Sequence, residues 1–311
     1  MFYYRLYGLA VASQLAFPDA EGATLQTGAK PADVTVTLGS VPDCGAHENV
    51  GRLNDTWYYS APGPQCFYMH CNGFDFEITN GNTIKVDTHR QPMNRPELIT
   101  YILGSAFGVI AIQRELVPLH GAAVATGDTA VIIAGYSGSG KSAVLSALIQ
   151  AGYRYLADDV SVVSLEGGKP FVLPSYPQRK IAVAAALETG EDTSAAALIR
   201  EDGREKYTFR NTGEWVDRKL PLSFIVEVFP TMKRDDSPFS PEIREINGHA
   251  SLGMVIRNQY RMQFSSGIGT PPSRMKKLLE ITSSVKTYQL IRPACGSPVR
   301  ETAQMIVETC F

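Results

Sequence analysis

Gly135-Tyr136-Ser137-Gly138-Ser139-Gly140-Lys141-Ser142 is the stretch from which this chain is read. It meets G-x-x-x-x-G-K-[ST] at every required position. It also stands between an apolar run, Thr129 to Ala134, that predicts a strand and a run, Ala143 to Ala151, that predicts a helix. The residue types supply the chemistry. Gly135, Gly138 and Gly140 let successive backbone N–H groups, including those of Ser137 and Ser139, turn inward around phosphate oxygens at the positive end of a helix. Lys141 is suited to bridging β- and γ-phosphates, and the Ser142 hydroxyl to ligating Mg²⁺. The predicted ligands are ATP or GTP with Mg²⁺. A glycine-rich turn without function is the competing reading, and it has no use for the Lys-Ser pair.

Downstream, Ala157-Asp158-Asp159-Val160 opens a predicted strand, Val160 to Leu165. Two carboxylates beside a phosphate loop have two natural tasks: one holds the metal, and the other takes the proton of an attacking hydroxyl. An Asp-Asp turn is the plainer account. Upstream, Leu119 to Ala125 and Thr129 to Ala134 predict an antiparallel hairpin around Thr126-Gly127-Asp128, with His120 near its start. That position is expected to lie apart from the loop, so that His120 reaches the site from a neighbouring element. A histidine hydrogen-bonded in the core is the competing reading.

Further out, residues 1–93 read as a β-rich accessory domain. Phe2, Tyr4 and Leu6 alternate with Tyr3, Arg5 and Tyr7 in an opening strand. Further strands run over Val34 to Leu38, Cys66 to Met69, Phe74 to Thr79 and Thr83 to Val86, with a hairpin turn at Asn80-Gly81. Residues 94–311 read as the P-loop domain. It begins with a helix capped by Asn94 and Glu97 and apolar to Leu116. A second hairpin turns at Gly167-Gly168, further strands include Tyr207 to Arg210 and Phe224 to Phe229, and helices lie around Leu252 to Tyr260 and Pro272 to Thr282. Asp235 to Pro241 reads as a polar loop. So many hairpins predict an α/β fold with the P-loop in a mixed sheet.

With 44% hydrophobic and 19% charged residues and a net charge of -2, the 311-residue chain reads as globular, with no broad attraction to nucleic acid or an anionic membrane. Leu98 to Gln113 is uncharged but short of the ~20 residues of a membrane span. The expected location is the cytoplasm. Five cysteines (Cys44, Cys66, Cys71, Cys295 and Cys310) are too scattered for a disulfide scaffold. Cys66, His70 and Cys71 suggest a metal site only weakly, and ordinary thiols are the expectation.

These pieces together resemble the HPr kinase/phosphorylase superfamily. Pro118-Leu119-His120-Gly121-Ala122-Ala123-Val124 is similar to its strand before the P-loop, and Leu156-Ala157-Asp158-Asp159 to its acidic motif. The resemblance implies a fold related to phosphoenolpyruvate carboxykinase. The opening Tyr7-Gly8-Leu9-Ala10-Val11-Ala12-Ser13, with Ser175 to Lys180 and Lys206-Tyr207, looks like smaller members that phosphorylate the C-terminal serine of lasso peptide precursors. The implied reaction is phosphoryl transfer to a serine of a peptide or small protein, in a chain that is compatible with a homo-oligomer. Asp158 is the expected base, Asp159 with Ser142 the expected metal ligands, and His120 a positioning group. Arg179, Lys180 and Lys206 are candidates for neutralising charge, and Glu227 for a further metal contact. A carrier-protein kinase/phosphorylase, a small-molecule kinase and a nucleotide-sensing module stay open.

Overall fold

The chain begins with eight strands: β1 (Phe2–Leu6), β2 (Leu9–Ser13), β3 (Val34–Leu38), β4 (Val50–Asn54), β5 (Trp57–Gly63), β6 (Cys66–Cys71), β7 (Phe74–Thr79) and β8 (Thr83–Asp87). They form one mixed sheet in the order β1-β2-β3-β8-β7-β6-β5-β4. The computed structural model describes residues 1–25, 31–47, 49–201, 204–210, 213–231, 240–293 and 299–311. Cys295 and most of the Asp235 to Pro241 stretch lie outside them. Asn80 and Gly81 take φ of 56° and 63°, the left-handed pair that a tight hairpin requires. Cys66 and Cys71 sit five positions apart on β6. The two-residue period of a strand therefore sends them to opposite faces, and His70 Nδ1 is held at 2.6 Å by Asp75 instead.

Helix α1 (Pro96–Gln113) follows and is 83% buried inside the protein, although it is apolar and long enough to cross a membrane. Its start differs from the expected cap. Arg95 is the cap residue and its side chain does not cap the helix, while Asn94 lies in the preceding turn. Proline explains the shift: Pro96 lacks an N–H and its ring favours the first helical position, while it holds Arg95 in extended backbone. A wider π-turn occupies Tyr101–Ala106 in the middle of the helix.

The rest of the chain alternates more freely. It comprises β9 (Val117–Thr126), β10 (Thr129–Ala134), α2 (Lys141–Gln150), β11 (Arg154–Ala157), β12 (Val160–Glu166), β13 (Lys169–Leu173), β14 (Gln178–Ala182), α3 (Val183–Thr189), β15 (Ala197–Glu201), β16 (Arg204–Arg210), β17 (Leu220–Thr231), β18 (Glu242–Ile246), α4 (His249–Arg257), α5 (Met262–Ile268), α6 (Pro272–Ser284), β19 (Lys286–Pro293) and α7 (Val299–Cys310). A second mixed sheet runs β10-β9-β12-β13-β17-β19-β18. β11 joins it on β9, and a parallel β10–β17 pairing closes a circuit of strands. A third, three-stranded sheet is ordered β14-β16-β15. The molecule is thus a mixed α/β protein.

Two apolar clusters hold the second sheet. One runs from the first sheet (Phe67, Phe76) through α1 (Ile102, Phe107) to Val124, Val131 and the α2 residues Val144 and Leu145. The other lies on the opposite side, where Met254 and Val255 of α4 and Leu278 and Ile281 of α6 cover Leu119, Ala123 and Ile132. With both faces covered, β10 reads as a continuous apolar run rather than an alternation.

Candidate active site

The loop from Gly135 to Ser142 links β10 to α2, and its three glycines all take left-handed or otherwise positive φ: 145° at Gly135, 87° at Gly138 and 103° at Gly140. Side chains there would collide. A Cβ on Gly135 would come within 2.5 Å of Ser139 Oγ and 2.7 Å of the Val228 carbonyl, and one on Gly140 within 2.8 Å of the Arg292 guanidinium. Lys141 folds back over the loop, donating to the Gly135 carbonyl at 2.8 Å and the Tyr136 carbonyl at 3.0 Å. Burial lowers its pKa to about 8, against the pull of Asp159 and Asp158. Ser139 Oγ is buried and has no hydrogen-bond partner among the described residues. Such an orphaned donor under a glycine cradle suits an anion.

A cavity of about 170 Å³ lies over this loop, bordered by Lys141, Ser142, Asp159, Lys180, Arg204 and Lys206 among others. Four cations around one carboxylate fit the charge of a polyphosphate. The hydroxyl of Ser142 and the carboxylate of Asp159 are the hard oxygen donors that Mg²⁺ favours. The third sheet supplies the roof: Lys180 is on β14, and Arg204 and Lys206 are on β16, where Lys206 pairs with Ala182 of β14. Arg204 also donates to Ser137 Oγ at 3.3 Å.

His120 is not remote from the loop, as the hairpin had suggested. The first strand of an antiparallel hairpin starts where the second ends, and Gly121 pairs with Ala134. His120 therefore stands beside Gly135. Its backbone N–H donates to the Asn258 carbonyl at 2.8 Å, and its Nε2 lies 3.3 Å from Asp159 Oδ1. Asp159 sits in a left-handed turn with φ of 69°, which swings its side chain away from that of Asp158. Burial is the largest single influence on Asp159 and favours its neutral acid. The hydrogen bond and charge of His120, with Lys180 and Lys206, outweigh it and hold the carboxyl far below the usual range.

The two acids are not equivalent. Asp159 borders the cavity, whereas Asp158 is 8% exposed, borders neither of the two cavities at this site, and accepts from the Lys180 N–H at 2.7 Å. Burial raises its pKa to about 6 despite that bond. Asp158, the expected base, thus lies behind the surface that Asp159 and His120 present. Arg179 also leaves the candidate set, since it is buried in an ion pair with Glu191 at 2.5 Å and packed 4.0 Å from the Phe209 ring. Glu227 is a buried hub rather than a cavity group. It accepts from Nε and Nη2 of Arg257, from Asn258 at 2.7 Å and from Gln289 at 2.9 Å.

A second cavity, of about 390 Å³, adjoins the first and shares His120, Ser137, Asp159 and Lys206 with it. Its other walls come from the π-turn region of α1 (Thr100, Tyr101, Ser105), from Tyr136, and from the segment Arg257 to Gln263. That segment is fastened to β9, where the Tyr260 N–H donates to the Pro118 carbonyl at 2.9 Å. Gly104 and Gly108 leave the helix surface bare for the Tyr260 ring, which a Cβ on Gly108 would meet at 2.9 Å. Motif reading missed Arg204, Arg257, Tyr260, Arg261 and Arg292. A pair of glycines four positions apart, Gly104 and Gly108, is the trace this wall leaves in the sequence, and such a pair signals close packing without naming what packs there.

No family model and no curated protein matches this chain. Among solved structures, the Hpr(Ser) kinase/phosphatase from Coxiella burnetii is similar with a TM-score of 0.32 and 14% sequence identity, over 61% of this chain and 93% of that one. Similarity at that level assigns neither a fold family nor a chemistry.

Proposed function

We propose that this chain is an ATP-dependent kinase that phosphorylates a serine hydroxyl of a peptide, the C-terminal serine of a lasso peptide precursor being its specific form. The observation that carries the reading is the wall of His120, Ser137, Asp159 and Lys206 common to the two cavities. It gives a phosphate-holding side and an acceptor side in contact, as in-line transfer requires.

On this reading the backbone N–H groups from Gly135 to Ser142 and the Lys141 ammonium hold the phosphates. Lys180, Arg204 and Lys206 neutralise charge from the roof. Ser142 and Asp159 would hold Mg²⁺, which when bound offsets negative charge on the phosphate oxygens. The serine oxygen bonds to the γ-phosphorus as the bond to the β,γ-bridging oxygen breaks, and ADP leaves. The serine proton passes to the His120–Asp159 pair. Asp158 acts as a positioning residue, fixing β14 and hence Lys180 through its backbone bond. The orphaned Ser139 hydroxyl and the cation-lined cavity support the choice of a polyphosphate donor.

The test is mass spectrometry of a short peptide ending in serine after incubation with the protein, ATP and Mg²⁺. The wild type should add one phosphate, and Lys141→Ala and Asp159→Asn should slow transfer by about 100-fold or more, with circular dichroism unchanged. A folded, fully active Lys141→Ala protein would overturn the proposal.

A further inference from the structure

The walls of the acceptor-side cavity differ in character from the phosphate side. Among the described residues, the lining holds one carboxylate, Asp159, against Lys206, Arg257 and Arg261. Arg257 is neutralised from behind by the buried Glu227. Arg261 is set into an aromatic frame: its guanidinium carbon lies 4.4 Å from the Trp57 ring, 5.6 Å from Tyr260 and 5.7 Å from Phe264. Its Nε donates to Ser105 Oγ at 3.1 Å. The backbone is also committed, since Arg261 takes φ of 44°, a conformation that side-chain-bearing residues adopt only when the surroundings impose it.

From this placement we infer that Arg261 is the specificity-determining residue for an acceptor that carries a carboxylate close to its reacting hydroxyl. The inference rests on the kinase reading for the word acceptor, but its physical basis is independent of turnover. A planar guanidinium matches a carboxylate in two parallel hydrogen bonds. Packing it against three rings and anchoring Nε fixes that fork before the ligand arrives, which removes an ordering cost from binding. The aromatic walls also keep the pair partly dry, where its attraction is less screened. The cavity, at about 390 Å³, stands at the small end of ligand sites, about 300–1,000 Å³. That is room for a chain end or a small hydroxy acid rather than for the face of a folded protein.

Two sources offer a carboxylate there, a peptide C-terminus and an acidic side chain next to the serine. Three otherwise identical short peptides separate them: one ending in serine as the free acid, one as the C-terminal amide, and one amide with aspartate before the serine. Their binding to the full chain is measured by calorimetry with Mg²⁺ and a non-hydrolysable ATP analogue present. The free acid should bind about tenfold or more tightly than the plain amide. Arg261→Gln should bring the acid down to the amide level, and Arg261→Lys should recover part of the difference. If the aspartate amide binds like the free acid, the side chain is an accepted source, and if it binds like the plain amide the terminus is selected. Equal binding of the free acid and both amides by the wild type overturns the inference, as does no binding of any of them. So does an Arg261→Gln protein that weakens all three alike. Selective binding without phosphate transfer would instead sink the kinase reading and leave the carboxylate site standing.

Discussion

Lys141 was identifiable from its motif alone, but its acidity was not. The residue is 7% exposed because its side chain folds back onto the loop, and burial lowers its pKa to about 8. On the kinase reading the cation is the form that holds phosphate, which fixes the sign: binding competence is full well below about pH 8 and is lost as pH rises through it. The ATP-limited kcat/KM, which reports the free enzyme, should therefore fall on the alkaline side of about pH 8. A flat profile to pH 10 would show that Lys141 is not the phosphate-holding cation. The neighbouring acids teach the converse lesson. Asp158-Asp159 reads as a pair in the sequence, yet the single left-handed residue Asp159 turns one carboxylate to the cavity and leaves the other in the core. A dipeptide carries no signal for that choice, which is made by the Lys180 N–H on a strand twenty-two positions away.

At the scale of elements, the β9–β10 hairpin was legible because Thr126, Gly127 and Asp128 separate two apolar runs, and its register follows from the turn. What the hairpin does was obscured by its direction: antiparallel pairing brings the start of β9 to the end of β10 and so delivers His120 to the loop. Gly121 permits the approach. A Cβ there would come within 2.7 Å of the Ile133 carbonyl and 3.0 Å of Ile132 Cγ2, backbone and packed core that cannot move aside. Gly121→Ala should cost about 1–3 kcal/mol in urea unfolding and should lower kcat by moving His120. A variant of wild-type stability and rate would show that β9 has room to spare. Other elements were hidden for physical reasons. β14 spans five residues and mixes Arg179 and Lys180 with apolar ones, so its period does not stand out, and of β16 only Tyr207 to Arg210 was legible. The π-turn in α1 lies in a helix buried on nearly every side, where no polar face marks the register.

Across the whole molecule, the class of fold could be read from the density of hairpins, whereas the acceptor-side cavity could not. Its walls come from Leu53 on the edge strand β4, from α1, from the loop at Tyr136 and from the segment Arg257 to Gln263, so residues more than two hundred positions apart meet in one place. Only the packed structure brings Arg261 to Trp57 and Tyr260 to Gly108. The residue-level resemblance to a kinase superfamily is concentrated at the loop and the Asp-Asp pair, and it is silent on this half of the site. The common wall between the two cavities has a consequence for steady-state kinetics. On the kinase reading, donor and acceptor sit side by side and the phosphoryl group passes directly between them, so turnover runs through a ternary complex rather than through a phosphorylated His120, Ser137 or Asp159. Double-reciprocal plots at several fixed concentrations of the second substrate should intersect, and parallel lines would instead demand a phosphorylated enzyme. Because the two cavities adjoin, the acceptor side stays open while ADP is still on the loop, so a dead-end complex of enzyme, ADP and peptide is expected, and with it inhibition by the peptide at high concentration.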